Sequence, residues 1–271
     1  MERGLVRRII DSRWAYFFIL PAYIPFIIFV MYPLFNGVRL SFYDATLKGK
    51  EFIGLENFQR LFQDEAFLKA IKNTIIFVVG VVPAVVLIAL FIAVMVFPLR
   101  KHVQSFFRLA FYLPVVASGV ILSMVWLWLY NPAFGLFNYV LTSVGLERVQ
   151  WLGDSSTALP SLALVVLTWI LGQPIILYLA ALGNIPTELL EASLIDGANA
   201  WQQFWKVTFP LLLPTTLFVL VTQTIGVFQV FVVVLLMTRG GPAYSTMTIV
   251  YDIWQTAFDF YHFGYASAMG V

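Results

Sequence analysis

Five long runs of this sequence carry no charged side chain, and they constrain the fold more than any other feature. They cover residues 14–35, 74–98, 109–130, 159–182 and 211–238. A helix rising 1.5 Å per residue needs about 20 apolar residues to cross a hydrocarbon core of about 30 Å, and each run is long enough. Inside lipid the backbone must satisfy its own hydrogen bonds, so the runs predict helices and an all-α membrane protein. Composition agrees: of 271 residues, 61% are hydrophobic and 11% charged, where a soluble domain carries about 25%.

In chain order, residues 1–13 are basic, with Arg3, Arg7, Arg8 and Arg13. The run 14–35 is too long for the core of a cleaved signal peptide and holds Pro21, Pro25 and Pro33, so it reads as a retained, kinked span. Residues 37–72 are polar. There Leu55, Phe58, Leu61 and Phe62, then Phe67, Leu68 and Ile71, suggest amphipathic helices on the membrane surface or a folded loop. Arg100, Lys101 and Arg108 mark a short basic loop, and 131–157 is rich in turn residues. Thr238-Arg239-Gly240-Gly241-Pro242 is a breaker, and Asp252 and Asp259 fall on one face of an amphipathic stretch at 244–262. Residues 263–271 are apolar but span only about 13 Å, so they form the start of a sixth, apparently truncated span or a re-entrant piece.

The longest polar interruption of the second half is 183–214. Thr187, after Pro186, is placed to N-cap a short helix through Ile195; Gly197 suits the left-handed residue that ends it. A second short helix fits 198–207, stopped before Pro210. The two would form a compact knob in which Ala192 and Ser193 allow close approach of another surface.

Several function classes lack their residues. There is no cysteine, the two histidines (His102 and His262) have no metal-site spacing, and no phosphate-binding P-loop occurs. A formal charge of +2 gives no basis for nucleic-acid binding. The five runs hold no ionisable group. That argues against an intramembrane enzyme, a proton relay or a stand-alone secondary transporter, and fits an uncharged substrate. Polar and aromatic candidates along a substrate path are Gln173, Asn184, Gln223, Thr224 and Gln229, with Trp169, Phe228 and Phe231. Each has an alternative role in inter-helix bonding or lipid contact.

One stretch resembles a known family. Glu191-Ala192-Ser193-Leu194-Ile195-Asp196-Gly197-Ala198, eight residues, then Val207-Thr208-Phe209-Pro210, resembles the EAA loop of bacterial ABC-importer permease subunits. Ser193, Val207 and Phe209 stand where that pattern has alanine, isoleucine and leucine. Leu113-Pro114, Trp128-Leu129-Tyr130-Asn131, Asn57-Phe58 and Trp151-Leu152-Gly153-Asp154 are similar to the carbohydrate-importer members. So is 238–242, where Arg239 replaces a usual glycine.

The resemblance implies one transmembrane permease domain over 1–271 with a six-helix core, in a bacterial cytoplasmic membrane. It implies a second permease, two ATP-binding subunits holding ATP and Mg, and an extracytoplasmic substrate-binding protein, with no cofactor and no catalytic residue in this chain. The loop at 183–210 would engage an ATPase through Glu188, Glu191, Ala192, Ser193, Asp196, Gly197 and Ala198. Substrate would be a sugar or oligosaccharide; another solute such as glycerol phosphate or an amino acid is the alternative. Lysine and arginine number eight on each side of the implied topology, so charge counting does not orient the chain. The dense basic segments and the resemblance place the N-terminus and the loop in the cytoplasm.

Overall fold

The computed structural model describes residues 13–271, so the basic segment before Arg13 lies outside the described residues. These form two compact units: the residues up to Asp64 with Ile253–Val271, and Glu65–Asp252.

In the first unit, α1 (Arg13–Phe26), a π-turn (Ile27–Met31) and α2 (Tyr32–Leu40) run as one apolar helix, and no residue of Tyr16–Leu40 is buried by the chain's own atoms. This helix outlasts the uncharged run by five residues. The π-turn has a local cause. Proline clashes with the carbonyl four residues back. Just before Pro33 the chain widens, and the Tyr32 N–H bonds the Ile27 carbonyl five back instead of four.

The polar segment that follows is not simply a pair of surface helices. An antiparallel hairpin joins β1 (Tyr43–Thr46) and β2 (Gly49–Phe52), pairing Tyr43 with Phe52 and Thr46 with Gly49. Only α3 (Glu56–Leu61) matches the first amphipathic piece. Asn57 of α3 is buried and its Nδ2 donates to the carbonyls of Ser41 (2.8 Å) and Tyr43 (3.0 Å), fastening helix to hairpin. The C-terminal helix of the chain (Phe263–Gly270) packs on this hairpin. Gly264 lies so close to the Tyr43 carbonyl that a Cβ would overlap it. Tyr265 donates to Asp64 at 2.7 Å, under the Arg60 guanidinium at 4.2 Å.

The second unit is built on α4 (Glu65–Val96), which absorbs Phe67, Leu68 and Ile71, the expected second surface piece. Its buried residues Ala70, Asn73, Phe77, Val81, Val85, Ala89, Ala93 and Val96 recur at three and four, one continuous stripe. After it come α5 (Lys101–Val116), α6 (Gly119–Leu129), α7 (Leu136–Ser143), α8 (Ser155–Ile170) and α9 (Gly172–Gly183), of which α5, α8 and α9 pack on it. Lys101 and Arg108 belong to α5 and not to a loop. The run 109–130 is not one straight helix: α5 and α6 meet at 98°. Ala117 and Ser118 are extended there, Ser118 caps α6 by accepting from the Val120 N–H, and Gly119 fits against the Trp169 ring. The fourth run bends by 44° between α8 and α9, where Gly172 packs on the Phe111 carbonyl and Pro174 follows.

Beyond α9 come α10 (Thr187–Ile195), α11 (Ala200–Gln203), a π-turn (Phe204–Thr208), α12 (Phe209–Phe228), α13 (Val232–Met237) and α14 (Ile249–Trp254). A further π-turn (Gln255–Asp259) precedes α15 (Phe263–Gly270). The expected stop before Pro210 does not occur. The π-turn again widens the helix just ahead of the proline, with Phe209 N–H on the Phe204 carbonyl, and the helix runs on. Asp252 is buried while Asp259 is exposed, so the two carboxylates do not share one face; the intervening π-turn adds a residue to the repeat.

By length and apolarity, three helices among the described residues can cross a membrane: Tyr16–Leu40, Glu65–Val96 and Ala200–Met237. The two bent pairs raise that to five.

Candidate functional site

Two places in the second unit gather the residues singled out in the sequence. The first is the knob. Thr187 is the first helical residue of α10, and Pro186, not Thr187, occupies the N-cap without a side-chain bond. Glu188 lies in the first turn, where the exposed N–H groups favour a negative charge. At the other end Gly197 takes φ +80°, the Ala198 N–H bonds the Ser193 carbonyl at 3.0 Å and the Gly197 N–H bonds the Leu194 carbonyl at 3.0 Å. This is a complete Schellman motif, and it requires the left-handed residue that only glycine adopts at little cost. Asn199 then starts α11 with a reciprocal capping box to Gln202.

Glu188, Glu191, Ala192, Asp196 and Gly197 are exposed, with Leu194 (60%), Ile195 (87%) and Trp201 (71%) beside them. Ser193 differs: it is buried, and faces α11 rather than solvent. Ala198 is half-buried at the turn. Trp201, Trp205 and Phe209 stack edgewise along the second helix, at 5.6 and 5.0 Å between successive ring centres.

The second place is a half-open cavity of about 430 Å³. It is lined by Trp169 of α8, Gln173 of α9, Thr222, Gln223 and Gly226 of α12, and Gln229 and Phe231 of the break before α13. Five of the eight residues chosen from sequence as path candidates therefore meet. Phe228 does not line it and points elsewhere, 39% exposed. Asn184 caps the C-terminus of α9, and the Thr224 hydroxyl bonds the Leu220 carbonyl at 2.7 Å; neither lines the cavity. Thr222 and Gly226 were missed by sequence reasoning, although their spacing around Gln223 puts all three on one helical face.

The cavity lies where the helices fail. Residues 229–231 and the α8–α9 bend both border it. Irregular backbone in an apolar helix bundle is tolerated where it is buried in protein or lines a cavity, and both breaks border this one. Its lining is mostly apolar, with Val115, Val166, Ile170 and Val230 among its aliphatic walls, and into it are set three glutamine amides, a threonine hydroxyl and two aromatic faces, with no ionisable side chain. Such a set can donate to and accept from hydroxyls while rings cover apolar faces. Gln223 is only 8% exposed.

Comparison with known proteins identifies the family. The family described as "binding-protein-dependent transport system inner membrane component" matches residues 85–271. The probable ABC transporter permease YurN of Bacillus subtilis is 35% identical, over 94% of this chain and 88% of its own length. The lactose transport system permease LacF of Rhizobium radiobacter is 34% identical, over 99% and 91%. The probable starch degradation products permease AmyD of Thermoanaerobacterium thermosulfurigenes is 35% identical, over 90% and 83%. Among solved structures, a bacterial ABC transporter that imports the acidic polysaccharide alginate superposes with a TM-score of 0.83 at 27% identity, covering 98% of this chain and 91% of that one. A bacterial alginate ABC transporter in complex with an alginate pentasaccharide-bound periplasmic protein gives 0.84 at 27% identity, covering 99% of this chain and 91% of that one. This chain belongs to the family of binding-protein-dependent transport system inner membrane components.

Proposed function

We propose that this chain is the membrane-spanning permease subunit of an ATP-driven importer for a sugar or oligosaccharide. The observation that carries the reading is the cavity at the helix breaks, an apolar pocket that sets three glutamine amides and two aromatic faces in its wall and holds no ionisable group. Relatives named for lactose and for starch degradation products support the substrate class. Alginate is acidic, and a carboxylate entering this cavity would find no cation in its lining. This chain's own lining therefore fits a neutral saccharide; a charged one would need cations from a partner chain.

In this reading residues 1–271 form one permease domain with a six-helix core, to which α15 belongs. The domain lies in the cytoplasmic membrane with the N-terminus and the knob on the cytoplasmic side. A second permease completes the pathway, an extracytoplasmic binding protein delivers substrate, and two ATP-binding subunits carry ATP and Mg. The knob docks on one of them through exposed Leu194, Ile195 and Ala192, with Glu188, Glu191 and Asp196 available to basic partner groups. ATPase closure then displaces the knob as a rigid body and alternates access to the cavity.

The test is uptake by proteoliposomes holding the whole complex. Neutral oligosaccharide uptake that depends on ATP and on the binding protein is expected. Uptake restricted to glycerol phosphate or an amino acid would overturn the substrate class, and failure to co-purify with any ATPase subunit would overturn the permease assignment.

A further inference from the structure

Gln203 ends α11, and its side chain crosses to α10. Its Nε2 donates to Ser193 Oγ at 2.7 Å and to the Leu190 carbonyl at 2.9 Å. The Ser193 hydroxyl donates to the same carbonyl at 2.7 Å. The three groups close a triangle around Ser193, which is 8% exposed, so water competes poorly for these bonds. An alanine at 193, as in the EAA pattern, could not accept the bond. The tie is thus a property of this chain's own residues.

Its position gives it a mechanical consequence. α10 packs on α11 and the following π-turn. The covalent link between them is the turn at 196–199, with Gly197 at φ +80°. Without the tie, α10 can swivel on that turn. From Gln203 the helix continues through the π-turn into α12 to Gln223 and Gly226 at the cavity, a rise of about 30 Å. One element thus carries the tie at one end and cavity-lining residues at the other.

We propose that Gln203 is a positioning residue for transport. Its amide locks α10 to the long α11–α12 helix, so that displacement of α10 reaches Gln223 and Gly226 instead of dissipating at the Gly197 turn. This rests on the reading that α10 docks on the ATPase.

The test is the sugar imported per ATP hydrolysed, measured on the full complex in proteoliposomes. Q203L removes both donated bonds and keeps the side-chain bulk. The ratio is expected to fall at least about threefold, with ATP hydrolysis maintained and the complex intact. S193A removes one of the two bonds and leaves the α10 backbone alone; an intermediate ratio is expected. A wild-type ratio in Q203L overturns the proposal. So does a Q203L complex that falls apart while S193A stays fully coupled, because Gln203 is then a folding residue only. A wild-type complex that hydrolyses no ATP in response to substrate would instead overturn the docking reading itself.

Discussion

Asn73, near the N-terminal end of the buried stripe of α4, donates through Nδ2 to the Tyr244 carbonyl at 2.7 Å. The same amide reaches the Met247 carbonyl at 3.1 Å, and one turn earlier Lys69 donates to the Ala243 carbonyl at 2.7 Å. The loop so held takes positive φ at Arg239, Ala243 and Tyr244. These are conformations that L-residues adopt only when their surroundings impose them. Replacing Asn73 with alanine strands two carbonyls and releases the loop. A loss of about 1–3 kcal/mol is expected, read as a lower midpoint of thermal unfolding in detergent. An unchanged midpoint would show that the loop holds itself.

Gly197→Val forces a β-branched residue into the left-handed turn that ends α10. The local cost is about 1–2 kcal/mol, enough to open the Schellman bonds. ATP-dependent uptake is expected to fall about tenfold while the spans stay folded. Uptake at the wild-type rate would show that the geometry of the knob does not matter.

At the cavity, Gln223→Leu and Gln229→Ala each remove an amide from the lining. A hydrogen bond of about 0.5–1.5 kcal/mol lost to substrate raises the transport KM roughly two- to tenfold. Phe228→Ala, outside the lining, is the control and should leave KM unchanged. A larger effect at Phe228 than at Gln223 would move the pathway.

Asp154 caps α8. Its carboxylate accepts from the backbone N–H of Ser156 at 2.7 Å and from the Ser156 hydroxyl at 2.7 Å, and these bonds hold its pKa below the usual carboxylate range. A depressed folded-state pKa stabilises the cap above the unfolded value, about 3.9, and the contribution disappears as pH falls through the folded one. Hydrogen exchange at Ser156, corrected for intrinsic chemistry, should lose protection on acidification through that range. Asp154→Asn should abolish this pH dependence, and persistence in the variant would assign it to another group.

Gly264→Ala places a methyl into the Tyr43 carbonyl. Overpacking of this kind costs about 1–3 kcal/mol, because both backbones must move. Faster exchange of the hairpin amides, from Tyr43 to Phe52, is the expected signature. A hairpin as protected as in the parent would show that α15 can shift freely.

The uncharged runs made the membrane helices legible, because lipid leaves a backbone little choice but to close its own bonds. Gly197, the length of α10 and the path candidates were legible too, since turn chemistry and polar side chains in apolar runs carry meaning one residue at a time. Contacts between distant residues were not. The hairpin pairing Tyr43 with Phe52 lay in a polar stretch ahead of the helical period that begins at Leu55. The continuation of the helix through Pro210 depends on a π-turn that propensity does not specify. Ser193 read as a small surface residue and is a buried acceptor for Gln203. By itself, then, the sequence determined which segments are apolar enough to cross a membrane, where the knob turns and which polar and aromatic side chains interrupt the apolar runs. Only the tertiary structure decided that Trp169, Gln173, Gln223, Gln229 and Phe231 share one cavity and that Phe228 does not. Helix breaks at 171 and 229–231 set those directions, and a break's angle follows from what packs against it, not from the residues that form it.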